Sequence, residues 1–526
     1  MGKAICCFGW VVVVTGLVGP VASASGESCS LEMKKVDTSS TSNDTYLFRA
    51  TSSQSFFLPV GEGVRFRDNE AQEFAGVIKK ELESYRAVHP VRGVVNLGTQ
   101  KFAYVLDTSV EPEEDKKDAE ESEGKEEKSE KSEGVLSALA KVLTGGEKKP
   151  DKDKPDKNKP FKPVPYDRLY FDRDGDGDLT DEEVIEASST RDLNNNRYFA
   201  CTFPRIDLAI EVESESVDYA VVLDTTAYDG GSYGYVNGSF HAGAYREGEL
   251  TVDGKKRRLV LIDFNSNGRF DDASRFESSV HYSDGQVRPV LGDRLYVDPD
   301  MKATYRSPYD VTSGDDLFDV GSLLCLEGKF YKMTVSPSGD KLTLEPANVE
   351  SGYVTNAVGE YRAVVYGDAG LLKLRSDESG KAPVPVGSWK LMNYTLDRTG
   401  FEPEKKPEEN AEPSILGVLT EAIGAAATVK PPRQTFVAAH ATTAYEAVEV
   451  KKGETVKLPF GPPYRPQVDV QYRSGADEVS LGMSLIGSAG EICSNMYVNG
   501  NRPGKPAFTI AGPDGEKVAE GAFEYG

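Results

Sequence analysis

Histidine and tryptophan are scarce in this chain, at 4 and 2 of 526 residues. His89, His241, His281 and His440 show no metal-ligand spacing, which leaves a histidine-based zinc centre without support. Cysteine is nearly as sparse, at 6, and Cys6 and Cys7 fall in the leader described below. Cys29, Cys201, Cys325 and Cys493 remain, widely separated and without a C-x-x-C pair, so zinc-ribbon and thioredoxin-like readings fail. These four are expected to be buried thiols or structural disulfides, and four allow three pairings. Basic residues are in deficit: 61 Lys and Arg against 85 Asp and Glu give a net charge of -24. Such a surface repels nucleic acid and anionic lipid. Apolar residues reach only 38%, and beyond the first two dozen residues no apolar run approaches the ~20 needed to span a membrane.

What is abundant is turn chemistry: 51 Gly and 29 Pro suit short strands joined by many turns and argue against a helical bundle. The N-terminus has its own pattern. Lys3, an apolar run from Ala4 to Val18 and the triplet Ala22-Ser23-Ala24 read as a cleaved signal peptide over 1–24. The mature protein is therefore expected to be exported, to the periplasm, the cell envelope or the medium. Cys29 as a lipidation site is disfavoured by the charge of Glu27 just before it.

Two stretches, 111–163 and 402–433, are dense in Glu, Lys and Pro. They are expected to be disordered inserts or linkers, each carrying a short apolar helical segment (Val135 to Leu143, Ile415 to Ile423). One globular helix is expected where Asn69 and Gln72 have capping-box spacing and Phe74, Ile78, Leu82 and Tyr85 recur at helical intervals. The rest reads as hairpins. One turns at Gly98 between Gly93–Leu97 and Phe102–Leu106; another turns at Asp253-Gly254 and rises through Leu259–Ile262. The interval from Gly98 to Asp107 and from Gly254 to Asp263 is nine positions in both. Asp167-Arg-Leu-Tyr-Phe-Asp-Arg-Asp174 is echoed by Asp293-Arg-Leu-Tyr-Val-Asp-Pro-Asp300, which points to a duplicated unit. The expected fold is mainly β, with tandem β-rich units and a C-terminal β-sandwich. Its divisions are 25–110 (β-rich with one helix), 164–245 (first calcium-loop unit), 246–401 (second, degenerate unit) and 434–526 (sandwich), with the inserts between.

Asp172-Arg-Asp174-Gly-Asp176-Gly177-Asp178-Leu179-Thr180-Asp-Glu-Glu183 fits the twelve-residue EF-hand calcium loop. Calcium takes six to eight oxygens, here expected from the carboxylates of Asp172, Asp174 and Asp176, the carbonyl of Asp178, Thr180, and a bidentate Glu183. Leu169-Tyr-Phe171 reads as an entering strand and Asp181 to Ala187 as an exiting helix. With no paired second hand, the loop suits structural rather than sensory calcium. A second loop offers Asp263, Asn265, Asn267 and Asp271 as ligands, with Ser274 where the closing carboxylate would stand and hence weaker binding. Asp298-Pro-Asp300-Met-Lys302 reads as a vestige, and the Asp192, Asn194 and Asn196 run is weaker still.

No catalytic constellation emerges. Gly230-Gly-Ser232-Tyr-Gly234 matches G-x-S-x-G, but the residues that follow read as strand rather than the helix a nucleophile elbow requires. The segments LYFDRDGDGDLT, LIDFNSNGRFDD, FYKMTVSPSGDKLTLEP and GEKVAEGAFEYG together resemble exported, EF-hand-containing proteins of planctomycete type, a group without a characterised activity; the loops themselves look EF-hand- or dockerin-like. That resemblance implies export and calcium. The expected function is an exported calcium-binding protein with a structural or binding role, toward an unidentified protein or carbohydrate partner. An exported hydrolase with structural calcium, with carbohydrate as its candidate substrate class, is the alternative.

Overall fold

The computed structural model describes residues 26–36, 53–60, 68–87, 89–111, 163–229, 234–277, 285–299, 316–321, 323–399, 434–472 and 479–525. The expected leader 1–24, nearly all of both charged inserts, Ser232 and Asp300 to Lys302 lie outside the described residues. The protein is mainly β: seven sheets and a single helix, Asp68–Val77, among the described residues, with every ladder but one antiparallel. Gly and Pro punctuation ends the strands early, and antiparallel hairpins follow from the short connections.

Two four-stranded meanders carry the architecture. The first runs Val91–Leu97, Gln100–Asp107, Arg168–Phe171 and Ile185–Glu186; the second runs Ala244–Val252, Lys255–Ile262, Arg294–Val297 and Leu317–Asp319. Their registers coincide: Leu106 faces Leu169 and Leu169 faces Ile185, as Leu261 faces Leu295 and Leu295 faces Phe318. Equivalent hydrogen bonds recur outside the ladders. Asp172 N donates to Ala103 O (3.0 Å) and Asp298 N to Arg258 O (2.8 Å). Ala187 N donates to Asp167 O and Val320 N to Asp293 O, both at 2.8 Å. The Asp167 carboxylate accepts from Ser109 N (2.7 Å), and that of Asp293 from Phe264 N (2.9 Å). The duplication is thus present in the backbone.

The match differs from the nine-residue spacing by one position. Leu97 pairs with Gln100 and Val252 with Lys255, so Gly98 corresponds to Asp253, and Asp107 corresponds to Ile262 rather than Asp263. The two acidic loops are consequently not equivalent. Loop 172–183 follows the third strand of its meander, whereas loop 263–274 follows the second.

One apolar core gathers residues from Leu31 to Leu344 and includes both meanders, so the two units expected at 164–245 and 246–401 share a single interior. A second core holds residues from Phe330 to Phe460, with Trp389 and Tyr394 at its centre. It ignores the expected boundary at 434. Gly387–Asp397 pairs with Phe436–His440 from Asn393↔His440 to Asp397↔Phe436, and that sheet continues through Ile492–Tyr497 and Val479–Ile486 to Arg465–Tyr472. The C-terminal segment therefore completes a sheet begun before the 402–433 insert, because burying Trp389, Leu391 and Tyr394 requires strands from both sides. Among the described residues from 462 onward, only Glu491 is buried. No helix among the described residues is long and apolar enough to cross a membrane.

Candidate metal centre

Loop 172–183 is clamped between the first meander and the segment after the helix. Phe171 ends a buried strand, and Asp172 follows with 0% of its surface exposed. The expected helix over Phe74 to Tyr85 stops at Val77, because the next residues hydrogen-bond to the loop instead: Lys79 N and Lys80 N both donate to Gly177 O, and Leu179 N donates to Lys80 O. Ile78, Leu82 and Tyr85 nevertheless pack against Phe74 and the fully buried Leu179. Gly177 has φ of +83°, and a Cβ there would lie 2.6 Å from Val77 O. Only glycine meets both demands.

Within the loop, short Asx bonds fold the chain around one point. Asp172 Oδ2 accepts from Gly177 N (3.1 Å), Asp174 Oδ1 from Asp176 N (3.1 Å), and Asp176 Oδ1 from Asp178 N (2.7 Å). Asp178 Oδ1 accepts from both N and Oγ1 of Thr180. Carboxylate oxygens of Asp172, Asp174 and Asp176 all lie within 4.8 Å of one another. Asp172 Oδ1 is buried and has no hydrogen-bond partner. Burial first, then the charges of Asp174 and Asp176, raise the Asp172 pKa. An orphaned carboxylate oxygen beside two like charges is an arrangement that a hard divalent cation relieves.

The remaining expected ligands are placed less simply. Asp178 and Thr180 face Lys80, whose Nζ lies 3.0 Å from Asp178 Oδ2 and also bonds Thr180 Oγ1. Those bonds, from Thr180 foremost, hold the Asp178 carboxyl down at about 2. Glu183 is exposed, whereas its neighbour Glu182 folds back, Oε1 accepting from Arg173 N at 2.6 Å. Burial, opposed by Arg173 and reinforced by Asp174 and Asp172, raises the Glu182 pKa. The exit is not helical. Ile185–Glu186 is a strand paired with Arg168–Leu169, since Ile185 is drawn into the core as the fourth strand of the meander.

The second loop is closed by its own donors. Asp263 is fully buried, with Oδ2 accepting from Gly268 N (2.6 Å) and Tyr219 Oη (2.6 Å) and Oδ1 from Asn267 N (3.2 Å). The side-chain amides of Asn265 and Asn267 donate to Asp272 Oδ2, at 3.0 and 2.7 Å. Asp271 is taken by Arg269, at 3.0 and 2.9 Å. Ser274 is buried and bridges Asp319 and Gly292 N. The carboxylates of Asp263 and Asp271 are thus engaged by protein donors, while Asn265 Oδ1 is buried without a hydrogen-bond partner. Asp272 and Asp293, which the ligand pattern passed over, complete the network, with Asp293 accepting from Phe264 N and Asp272 N. Burial pushes the Asp263 carboxyl up to about 7 and that of Asp293 well above the usual range.

Asp298, counterpart of Asp172, accepts from Arg258 N and Arg257 Nη1 and so caps a turn. Asp192 caps another through Asn194 N and Asn196 N. Cys29, Cys201, Cys325 and Cys493 are free thiols, each with its pKa raised by burial. The strands flanking Ser232 form a ladder closing at Asp229↔Gly234, so strand rather than helix follows G-x-S-x-G. One surface cavity of about 230 Å³ is lined by a single carboxylate, Glu73, beside Arg92 and Tyr104. The other, about 320 Å³, lies among Leu396, Phe436, Pro462, Tyr464 and Tyr497. No protein-family model, curated protein or solved structure matches this chain.

Proposed function

We propose that this is an exported calcium-binding protein of the cell envelope or exterior, in which loop 172–183 holds one structural Ca²⁺ that fastens the first meander to the helix. The observation that carries the reading is the buried, unpartnered Asp172 Oδ1 beside the Asp174 and Asp176 carboxylates. Those three residues would supply carboxylate oxygens, and Asp178 its carbonyl. Oxygen-only donors of high charge suit a hard cation such as calcium. Glu183, exposed at the twelfth position, would close the site, since Oε1 of its neighbour Glu182 already accepts from Arg173 N. Loop 263–274 is the weaker candidate: amides, a phenol and backbone N–H groups already bond its carboxylates, and the acceptor it leaves buried without a partner is the neutral amide oxygen Asn265 Oδ1. The loop ties together chain segments about a hundred residues apart, and this supports a structural role.

Calcium titrated into chelator-treated protein tests the reading. Binding to the folded state alone stabilises it by about 2.7 kcal/mol at a hundredfold excess over Kd. For a module outside the cell, Kd is expected at roughly 10⁻⁴–10⁻³ M. Asp172→Asn retains an acceptor for Gly177 N while placing an amide at the orphaned oxygen, so it should fold yet lose the calcium-dependent rise in Tm. A wild-type Tm indifferent to millimolar calcium would refute the proposal.

A further inference from the structure

Two lysines from outside the loop reach its acidic run. The backbone bridge between Lys80 and the Gly177–Leu179 segment fixes where both side chains start, whatever rotamer each adopts. From there Lys80 Nζ bonds Asp178 Oδ2 and Thr180 Oγ1, and Lys79 Nζ bonds the carbonyl of Asp176. Every one of these acceptors belongs to the run that a cation would order. The lysines lie 97 to 100 residues from their partners in sequence, so local chain geometry does not force the contact.

We propose that Lys79 and Lys80 are tethered cations that regulate the calcium site, holding the loop folded when metal is absent and lowering its affinity when metal arrives. The inference rests on the calcium reading. Its physical basis is charge. A loop of clustered carboxylates repels itself, and ammonium groups at its margin offset part of that repulsion in the metal-free state. The same charges repel an incoming divalent ion. The Lys80 side chain is 63% exposed, so its field acts through a solvent-like dielectric and is screened by salt. The loop is thereby set for calcium at the concentrations found outside cells rather than for scarce calcium.

The test is calorimetric calcium titration of the full chain, with Tm measured in chelator. Lys80→Met should tighten binding roughly three- to tenfold, the order expected when one unit charge near a divalent ion is removed in a water-like dielectric. Lys79→Met combined with Lys80→Met should tighten it further, and Lys80→Arg should leave it near wild type. The metal-free Tm should fall in both Met variants. The advantage of Lys80→Met should shrink as ionic strength rises from about 0.02 to 0.5 M, a response that a purely packing role would not give. Lys80→Gln, which keeps a donor without charge, serves if Lys80→Met folds poorly. Equal or weaker calcium affinity in a folded, uncharged variant overturns this inference and leaves the calcium reading standing. Absence of wild-type binding up to about 10 mM calcium overturns both.

Discussion

At Gly177 a conformational demand and a steric one coincide. Gly177→Ala puts a side chain in the left-handed region and its Cβ 2.6 Å from Val77 O. A loss of about 1–3 kcal/mol is expected, read as a fall in Tm with and without calcium, together with weaker calcium binding as the Lys80 bridge is displaced. The glycine was legible in the sequence as the sixth residue of the motif, but the carbonyl that forbids a Cβ was not. The buried Asp263–Asp293 pair makes a second residue-level prediction. Both pKa values are raised, so between about pH 4 and 7 the folded protein holds protons that the unfolded chain has released. Stability should therefore be fullest below the unfolded value near 4 and decline as pH rises toward 7, by up to about 1.4 kcal/mol per unit for each group. Asp272 repels both members of the pair, although burial is the larger cause. Asp272→Asn should flatten that decline, as measured by urea unfolding in chelator at several pH values.

At the scale of elements, the helix, the loop and the hairpins differ in how much of each is local. Leu179 joins loop to helix by packing with Phe74, Ala103, Val105 and Tyr170. Leu179→Ala should cost about 2–5 kcal/mol and weaken calcium binding as well, since the loop loses its anchor. The Asp253-Gly254 turn is the contrasting case. Gly254 has φ of +74° with open space around it, so Gly254→Ala should cost only about 1 kcal/mol and leave the calcium titration unchanged. Hairpin turns of this kind were readable because the conformation depends on two adjacent residues. The end of the helix was not, since Ile78, Leu82 and Tyr85 keep helical spacing while Lys79 and Lys80 spend their N–H groups on Gly177. The exit from the loop misled for a related reason: acidic residues from Asp181 onward suit a helix start, but Ile185 gains more by pairing with Leu169 in the core.

For the whole molecule, the sheet that joins Gly387–Asp397 to Phe436–His440 predicts how the chain behaves when cut. A specific protease site introduced within 402–433 should yield two fragments that co-elute on size exclusion and separate only in denaturant, because five residue pairs and the Trp389 core hold them together. Separation under native conditions would contradict the shared sheet. In hydrogen exchange, strands of the first core such as Leu259–Ile262 should be slowest. Arg465–Tyr472 should be among the fastest, as all eight of its residues are exposed.

The sequence by itself determined the β class, the two hairpin turns, the duplicated strand and the acidic loop with its glycine. Each is a short-range pattern, and alternation, turn dihedrals and ligand spacing act over a dozen residues or fewer. Only the tertiary structure decided which acidic loop gathers its carboxylates, because that depends on who else supplies donors. Asp263 meets Tyr219, Asn267 and Gly268, while Asp172 keeps one buried oxygen without a hydrogen-bond partner. The same holds for Lys79 and Lys80, for the core shared by both meanders and for the sheet that bridges 402–433. Burial of apolar surface and satisfaction of buried polar groups are settled between residues far apart in the chain, and no local spacing encodes which of them will meet.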